Sequence, residues 1–267
     1  MTTFLESIET KKFILPIRRE GALEPLFLIH PVGGTVFAYA PFVSHVKDRP
    51  IYGIQDPSVA LQEKLFNSIE EMAACYIEGI KTIQKKGPYY LGGASFGATV
   101  AFEAARQLLE NGDEVAMVAA FDGWAFYPEK LRNKEDFEVL MDSLPEMVRL
   151  KEFYAKTGTS SNQWVDLQWH RMELINAYAV PTVKTNITLF KAKDLLPEFA
   201  AQENSLNHWG RYCDVPEPMD VYLVGGDHYS MFRQPHINET GRVLQEHLDK
   251  LNRTTKSNQT VEEVCFV

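Results

Sequence analysis

The stretch GPYYLGGASFGATVAFEAARQL, residues 87–108, carries the strongest structural signal in the chain. It begins with an apolar run at 89–93, passes through Gly93-Ala94-Ser95-Phe96-Gly97, and continues with apolar residues at helical spacing. The five central residues match G-x-S-x-G, in which a serine sits on a strained turn between a strand and a helix. The stretch therefore predicts a strand, a turn that exposes the Ser95 hydroxyl, and a helix from Phe96 to about Glu110.

Short apolar runs separated by amphipathic segments lie on both sides of this stretch. The clearest helical segment opens with the capping box Ser68-Ile69-Glu70-Glu71 and stops before Gly87-Pro88. A last helix is predicted over 238–251. Such alternation predicts an α/β fold in which helices flank a mostly parallel central sheet. The predicted strands cover 25–30, 50–54, 89–93, 115–122, 187–191 and 221–224.

The alternation is interrupted after Asp122, where the pattern is helical only and rich in aromatic residues and methionine. We interpret residues 123–184 as a helical lid inserted into a single domain that spans residues 1–252. The alternative is a set of surface helices that bury their own apolar faces. Residues 253–267 are mostly polar and are predicted to form a flexible tail.

Composition excludes several classes of protein. Of the 267 residues, 45% are hydrophobic and 24% are charged, which is typical of a globular protein. The net charge of −9 argues against nucleic acid or an anionic membrane as the main partner. No apolar segment is long enough to span a membrane, and no secretion signal is evident. Cys75, Cys213 and Cys265 lack the spacing of a metal site or a disulfide framework, so we expect a cytoplasmic protein without metal.

A serine hydroxyl is a weak nucleophile unless a base removes its proton. Among the seven histidines, His228 has the most favourable context. It lies in Gly225-Gly226-Asp227-His228-Tyr229, directly after the apolar run at 221–224, and the carboxyl ends of parallel strands are where such sheets build their sites. We therefore predict that His228 is the general base.

The third member of the triad must orient the imidazole and stabilise its cationic form. Asp122 ends the predicted strand that follows the Ser95 strand, and Asp194 follows the next one. The arrangement of strands alone leaves both open. Asp227 is adjacent to His228 and is expected to make local turn contacts instead.

A tetrahedral oxyanion needs backbone N–H donors. The amide of Phe96, the residue after the nucleophile, is the first expected donor. The second is expected from the glycine-rich stretch His30-Pro31-Val32-Gly33-Gly34, at Val32 or its neighbour Gly33.

Together these motifs resemble the thioesterase domains that end non-ribosomal peptide synthetases, polyketide synthases and animal fatty acid synthase. The resemblance spans about 26–232 and is carried by LFLIHPVGG (26–34), IYGIQ (51–55), residues 87–108 and GGDHYSMF (225–232). It implies the α/β-hydrolase fold and places the acid at Asp122 rather than Asp194. One departure is Ala94, where many relatives have a bulkier residue.

The resemblance implies that the chain is a serine thioesterase and binds no cofactor of its own. Its substrate would be an acyl or peptidyl thioester on the phosphopantetheine arm of a carrier protein, released through an acyl-Ser95 intermediate by hydrolysis or cyclisation. Side chains just after the acid, namely Trp124, Phe126 and Tyr127, are candidates for contact with the acyl chain, with a place in the core as their alternative.

Two other functions compete with this one. A general carboxylesterase or lipase-like enzyme would use the same motif on oxygen esters. An acyl carrier protein would carry pantetheine on Ser95, because Leu91-Gly92-Gly93-Ala94-Ser95 also resembles an attachment motif. Carrier domains are small helical bundles, which disfavours the second alternative.

Overall fold

Seven strands form one sheet in the computed structural model, which describes residues 13–127, 131, 133–156, 160–197 and 204–265. Their order across the sheet is 1-3-2-4-5-6-7. The first strand runs antiparallel to the third, and all other neighbours are parallel. The strands are β1 (Ile14–Arg18), β2 (Leu26–Ile29), β3 (Ile51–Ile54), β4 (Tyr89–Ala94), β5 (Val115–Phe121), β6 (Thr188–Ala192) and β7 (Val221–Val224).

The six strands predicted from apolar runs are confirmed within one residue at each end. No strand was predicted at β1, which lies at the edge of the sheet. This strand has only five residues, contains Pro16, and buries Ile14 while its other positions are partly exposed. An edge strand tolerates proline because one side of its backbone needs no ladder hydrogen bond.

Helices cover both faces of the sheet. The structure contains α1 (Ser58–Leu61), α2 (Ile69–Ile83), α3 (Phe96–Glu110), α4 (Lys134–Ser143), α5 (Pro145–Lys156), α6 (Ser161–Ala177) and α7 (Ile237–Cys265). The capping box at the start of α2 is confirmed, because Ser68 Oγ accepts a hydrogen bond from the Glu71 N–H at 3.1 Å. The predicted bounds of α3 are confirmed as well.

The last helix, predicted over 238–251, is longer than expected. Residues 253–265, predicted to be a flexible polar tail, continue α7 as far as Cys265. The expectation followed from the lack of apolar residues, but extending an existing helix avoids the cost of nucleation, and Gly and Pro are the residues that oppose it most. No glycine or proline follows Gly241, so nothing in the sequence stops the helix. Residues 266–267 lie outside the described part.

The segment predicted to be helical only contains α4, α5 and α6. Its side chains Phe137, Met141 and Trp164 belong to the same buried cluster as the sheet residue Leu91. Helix α6 also packs against α3. These helices therefore bury their apolar faces against the main core rather than against one another alone.

Strand register brings the functional loops together. Ile29 of β2 pairs with Gly93 of β4, and Ala94 of β4 pairs with Phe121 of β5. All three strands end at the same edge of the sheet, so the loops that follow them converge there. In open α/β sheets this carboxyl edge is the place where ligands bind.

Candidate active site

Ser95 occupies a strained turn between β4 and α3. Its φ of 52° and ψ of −123° are unfavourable for a residue with a side chain. The turn is also crowded, because a Cβ on Gly93 would lie 2.3 Å from the carbonyl carbon of Gly97. A Cβ on Gly97 would lie 2.4 Å from the carbonyl oxygen of Ile29. Only glycine fits at either position, which explains the spacing of the motif around the serine.

Ser95, His228 and Asp122 are joined by two hydrogen bonds. Ser95 Oγ lies 3.0 Å from Nε2 of His228, and Nδ1 of the same ring lies 2.9 Å from Oδ2 of Asp122. A neutral imidazole whose Nδ1–H donates to Asp122 has a free lone pair at Nε2 to accept the Ser95 proton. The arrangement can therefore deprotonate the hydroxyl and stabilise the resulting imidazolium.

Asp122 is held in place from several directions. It follows β5 with a φ of 46°, and its N–H donates to the Phe190 carbonyl at 2.8 Å. Its Oδ1 accepts a hydrogen bond from the Ala192 N–H at 3.1 Å. Burial raises the pKa of this carboxyl, but hydrogen bonds from His228 and Ala192 outweigh burial, so its pKa lies below the ordinary value. Asp122 is therefore ionised beside His228.

The structure separates Asp122 from its sequence rivals. Asp194 is exposed, and its backbone N–H donates to the Gly226 carbonyl at 3.0 Å. Asp227 makes local contacts, since its Oδ1 accepts from the N–H groups of Tyr229 and Ser230 at 2.9 Å. Of these three aspartates, only Asp122 lies on the Nδ1 side of the histidine.

The loop after β2 has unpaired amides and lines the same cavity as Ser95. We call residues 31–34 the oxyanion loop; it forms a turn closed by a hydrogen bond from the Gly34 N–H to the Pro31 carbonyl at 2.9 Å. Within the described part of the chain, the N–H groups of Val32, Gly33 and Phe96 donate no hydrogen bond. Val32 and Gly33 line the same cavity as Ser95. These amides have the donor capacity that an oxyanion requires.

A cavity of about 410 Å³ opens beside Ser95 and His228. Apolar side chains dominate its walls, which suits an acyl group better than a charged ligand. Phe37, 64% exposed, lies at its wall. The other apolar side chains that line it are Pro31, Val32, Ala38, Pro41, Ala94, Met147, Leu150 and Phe232.

The three predicted acyl-contacting residues do not line this cavity, although Tyr127 lies beside Ser95. Trp124 is 1% exposed and belongs to the main core, as its alternative interpretation stated. Phe126 packs against His208 with ring centroids 4.3 Å apart. Neither lines the cavity. Part of the cavity wall was indicated by the sequence, because Met147 and Leu150 belong to the insertion rich in aromatic residues and methionine.

Tyr127 reaches the nucleophile directly. Its hydroxyl lies 3.2 Å from Ser95 Oγ. Burial raises the pKa of this phenol above its ordinary value, so the group keeps its proton. Since the Ser95 hydroxyl donates to His228, the Tyr127 hydroxyl is the donor to Ser95 Oγ.

Comparison with known proteins identifies the family. A family model described as "Thioesterase domain" matches residues 24–248. The chain belongs to the thioesterase-domain family. The resemblance stated from the sequence is thus confirmed, and with it the assignment to enzymes that act on thioesters.

Relatives of this thioesterase domain are parts of large synthetases. The chain is 36% identical over 266 residues to the dimodular nonribosomal peptide synthase of Bacillus subtilis, an alignment that covers 90% of the chain and 11% of that protein. It is 27% identical over 269 residues to the aspulvinone E synthetase melA of Aspergillus terreus, with 88% and 29% covered. The chain therefore spans less than a third of the length of these relatives.

Solved structures agree on the fold. The NocB thioesterase domain from the nocardicin cluster superposes with a TM-score of 0.68 at 23% identity, covering 89% of this chain and 99% of that one. The four-domain nonribosomal peptide synthetase AB3403 gives a TM-score of 0.69 at 24% identity, with 92% and 21% covered. The seven-stranded, mostly parallel sheet of this thioesterase domain is the α/β-hydrolase fold.

Two kinds of feature are absent from the described residues. Among the described residues, no group of three or more His, Cys, Asp or Glu side chains is arranged to hold a metal ion. No helix in the described ranges combines the length and apolar character needed to cross a bilayer.

Proposed function

We propose that this thioesterase domain releases an acyl or peptidyl chain from the phosphopantetheine arm of a carrier protein through an acyl-Ser95 intermediate. The observation that carries the proposal is the hydrogen-bonded series Ser95–His228–Asp122 beside an apolar cavity in a chain of this family. The similarity to part of the dimodular nonribosomal peptide synthase supports a carrier-tethered substrate. The chain itself would bind no cofactor.

In the first step, Ser95 Oγ forms a bond to the thioester carbonyl carbon while His228 Nε2 takes the hydroxyl proton. The carbonyl oxygen becomes an oxyanion, to which the amides of Phe96 and Val32, or Gly33, would donate. When the intermediate collapses, the C–S bond breaks and His228 returns the proton to the departing thiolate. Asp122 stabilises the imidazolium throughout.

In the second step, the acyl-Ser95 ester is attacked by water or by a nucleophile within the acyl chain. His228 takes the proton of the attacking group and then returns it to Ser95 Oγ. Attack by water gives a free acid, and internal attack gives a ring. The insertion at 123–184 would act as a lid, since Met147 and Leu150 contribute to the cavity wall.

We infer that the enzyme works in the cytoplasm. Cys75 and Cys213 are free thiols, which fits a reducing compartment. A general esterase on oxygen esters remains the second candidate, because the same catalytic groups serve both reactions.

The test compares acyl thioesters on a carrier protein with p-nitrophenyl esters of the same acyl groups. Wild type should show the higher kcat/KM on thioesters, and intact-mass analysis should detect an acyl adduct that maps to Ser95. Ser95→Ala should lose both, while Ser143→Ala, a change in an exposed serine, should retain them. Preference for oxygen esters would favour the esterase. Full turnover by Ser95→Ala would exclude Ser95 as nucleophile, and a pantetheine adduct on Ser95 would favour the carrier interpretation.

A further inference from the structure

One charged side chain of helix α6, that of Arg171, is buried in the core. The Arg171 side chain is 2% exposed and forms an ion pair with the equally buried Asp56. Its Nη2 donates to Ser58 Oγ at 2.8 Å. Its Nη1 donates to the backbone carbonyl of Val32 at 3.0 Å. One guanidinium thus connects the insertion, the segment after β3 and the oxyanion loop.

Asp56 holds the other end of the same loop. Its backbone N–H donates to the Gly34 carbonyl at 2.9 Å, and its Oδ1 accepts from the Ser58 N–H at 2.8 Å. The guanidinium also packs directly on Gly34, where a Cβ would lie 2.6 Å from Arg171 Nη2. The buried pair Asp56–Arg171 therefore contacts the oxyanion loop at Val32 and at Gly34.

Holding a carbonyl also fixes an amide. The peptide unit between Val32 and Gly33 is planar, and in the usual trans form its C=O and N–H point in opposite directions. The bond from Arg171 to the Val32 oxygen therefore sets the direction of the Gly33 N–H. The bond from Asp56 to the Gly34 oxygen limits rotation at the far end. The unpaired Gly33 amide cannot reorient unless these bonds break.

A buried charge such as that of Arg171 is not needed merely to hold α6 in place. The helix already bonds to the core through Gln163 Nε2, which donates to the Gln62 carbonyl at 2.9 Å, and through the His170 ring, 2.8 Å from the Phe66 carbonyl. A buried ion pair often stabilises a fold no better than apolar side chains of similar volume. The pair offers something that apolar packing lacks, which is directed hydrogen bonding to the loop.

We propose that Arg171 is a positioning residue for the reaction. Through its hydrogen bonds, the position of α6 controls the orientation of the oxyanion loop. The inference rests on the proposed function, because it assumes that this loop supplies a donor to the oxyanion. It predicts that loss of the guanidinium lowers kcat and leaves KM nearly unchanged. A donor turned away from the oxyanion affects the transition state rather than substrate binding.

The experiment uses Arg171→Ala, with His170→Ala as the matched control on the same helix. Removing one oxyanion donor costs about 10²–10³-fold in kcat, so we expect a loss of about 30-fold or more for Arg171→Ala with KM within about threefold. Guanidinium ion at millimolar concentration should restore part of the kcat of Arg171→Ala and none for His170→Ala or Ser95→Ala. Equal kcat in Arg171→Ala and His170→Ala, or no rescue, would overturn the proposal.

A double variant guards against a folding defect. Asp56→Asn combined with Arg171→Gln removes both charges and leaves no unpaired ion, so it should fold even if Arg171→Ala does not. It should show the same loss of kcat with KM retained, and wild-type kcat in a folded double variant would contradict the proposal.

A second readout separates this inference from the proposed function. A p-nitrophenyl phosphonate labels an activated serine, and its P=O group needs the same amides. If wild type is labelled at Ser95 but turns over no thioester, the proposed substrate is wrong, and slower labelling of Arg171→Ala still supports the positioning role. If labelling is equally fast in both, the positioning role is wrong. Failure to label wild type would overturn both proposals.

Discussion

Lowering the pH should destabilise this fold through His30, the residue that follows β2. The His30 ring is fully buried, its Nδ1 lies 2.7 Å from the Pro31 carbonyl, and its Nε2 lies 2.7 Å from the Tyr76 hydroxyl. A neutral ring satisfies both contacts, with Nδ1–H donating to the carbonyl and Nε2 accepting from the phenol. Burial lowers the pKa of His30 to about 4, and the nearby Arg171 adds to this while Asp56 opposes it.

The size of the effect follows from that pKa. In the unfolded chain His30 would titrate near 6.5, so between pH 6.5 and 4 the unfolded state binds a proton that the folded state does not. Stability is fully present above pH 6.5 and is lost as the pH falls through this window. The loss amounts to about 3 kcal/mol, at 1.36 kcal/mol for each pKa unit. This is a large share of the 5–15 kcal/mol typical of a domain.

Urea unfolding of wild type and His30→Gln at pH 7, 6, 5 and 4 measures this contribution. The variant should be less stable at pH 7, because it loses the buried imidazole and its two contacts. Its free energy of unfolding should nevertheless depend less on pH. The gap between the two proteins should narrow by about 3 kcal/mol from pH 7 to pH 4. His247→Gln is a positive control: burial also lowers the pKa of His247, so the free energy of unfolding of this variant should depend less on pH as well. A gap between wild type and His30→Gln that stays constant with pH would refute the argument.

Three further predictions concern activity. Asp122→Asn should lower kcat about 10³–10⁴-fold, because the amide cannot stabilise the imidazolium, whereas Asp194→Asn should stay within about twofold in steady-state assays. Tyr127→Phe should lower kcat about 3–10-fold with KM unchanged, which is the effect of losing one hydrogen bond to Ser95; an unchanged kcat would leave Tyr127 a packing role only. Met147→Trp should narrow the cavity and lower kcat/KM for long acyl thioesters more than for short ones, and an equal loss across chain lengths would contradict the assigned wall.

Sequence patterns predicted the features that depend on local chemistry. The apolar runs located six strands, because strands buried on both faces lack polar residues. The spacing around Ser95 predicted the elbow, because steric exclusion at Gly93 and Gly97 acts within a few residues. Local patterns did not decide between Asp122 and Asp194. That choice depends on which loop faces the His228 ring, and no local sequence pattern predicts this.

The features that sequence reasoning missed depend on distant contacts. Arg171 falls on the inward face of a helical segment, but its partner Asp56 lies 115 residues away. The cavity wall likewise combines Phe37 and Phe232 with Met147 of the insertion. Apolar periodicity shows which side of a helix is buried, but it does not show what lies opposite.

The pairing of β2 with β4 has a consequence for mutagenesis. The oxyanion loop follows one of these strands and Ser95 follows the other, so the distance between them is set by the alignment Ile29 with Gly93. Slippage by one residue would displace one strand by about 3.3 Å and reverse which face each side chain occupies. Gly92 pairs with Leu28 of β2, and a Cβ on Gly92 would lie 3.3 Å from Leu28 Cδ2. Substitutions deep in the sheet can therefore lower activity by shifting the oxyanion loop relative to Ser95, although every residue of the site is intact.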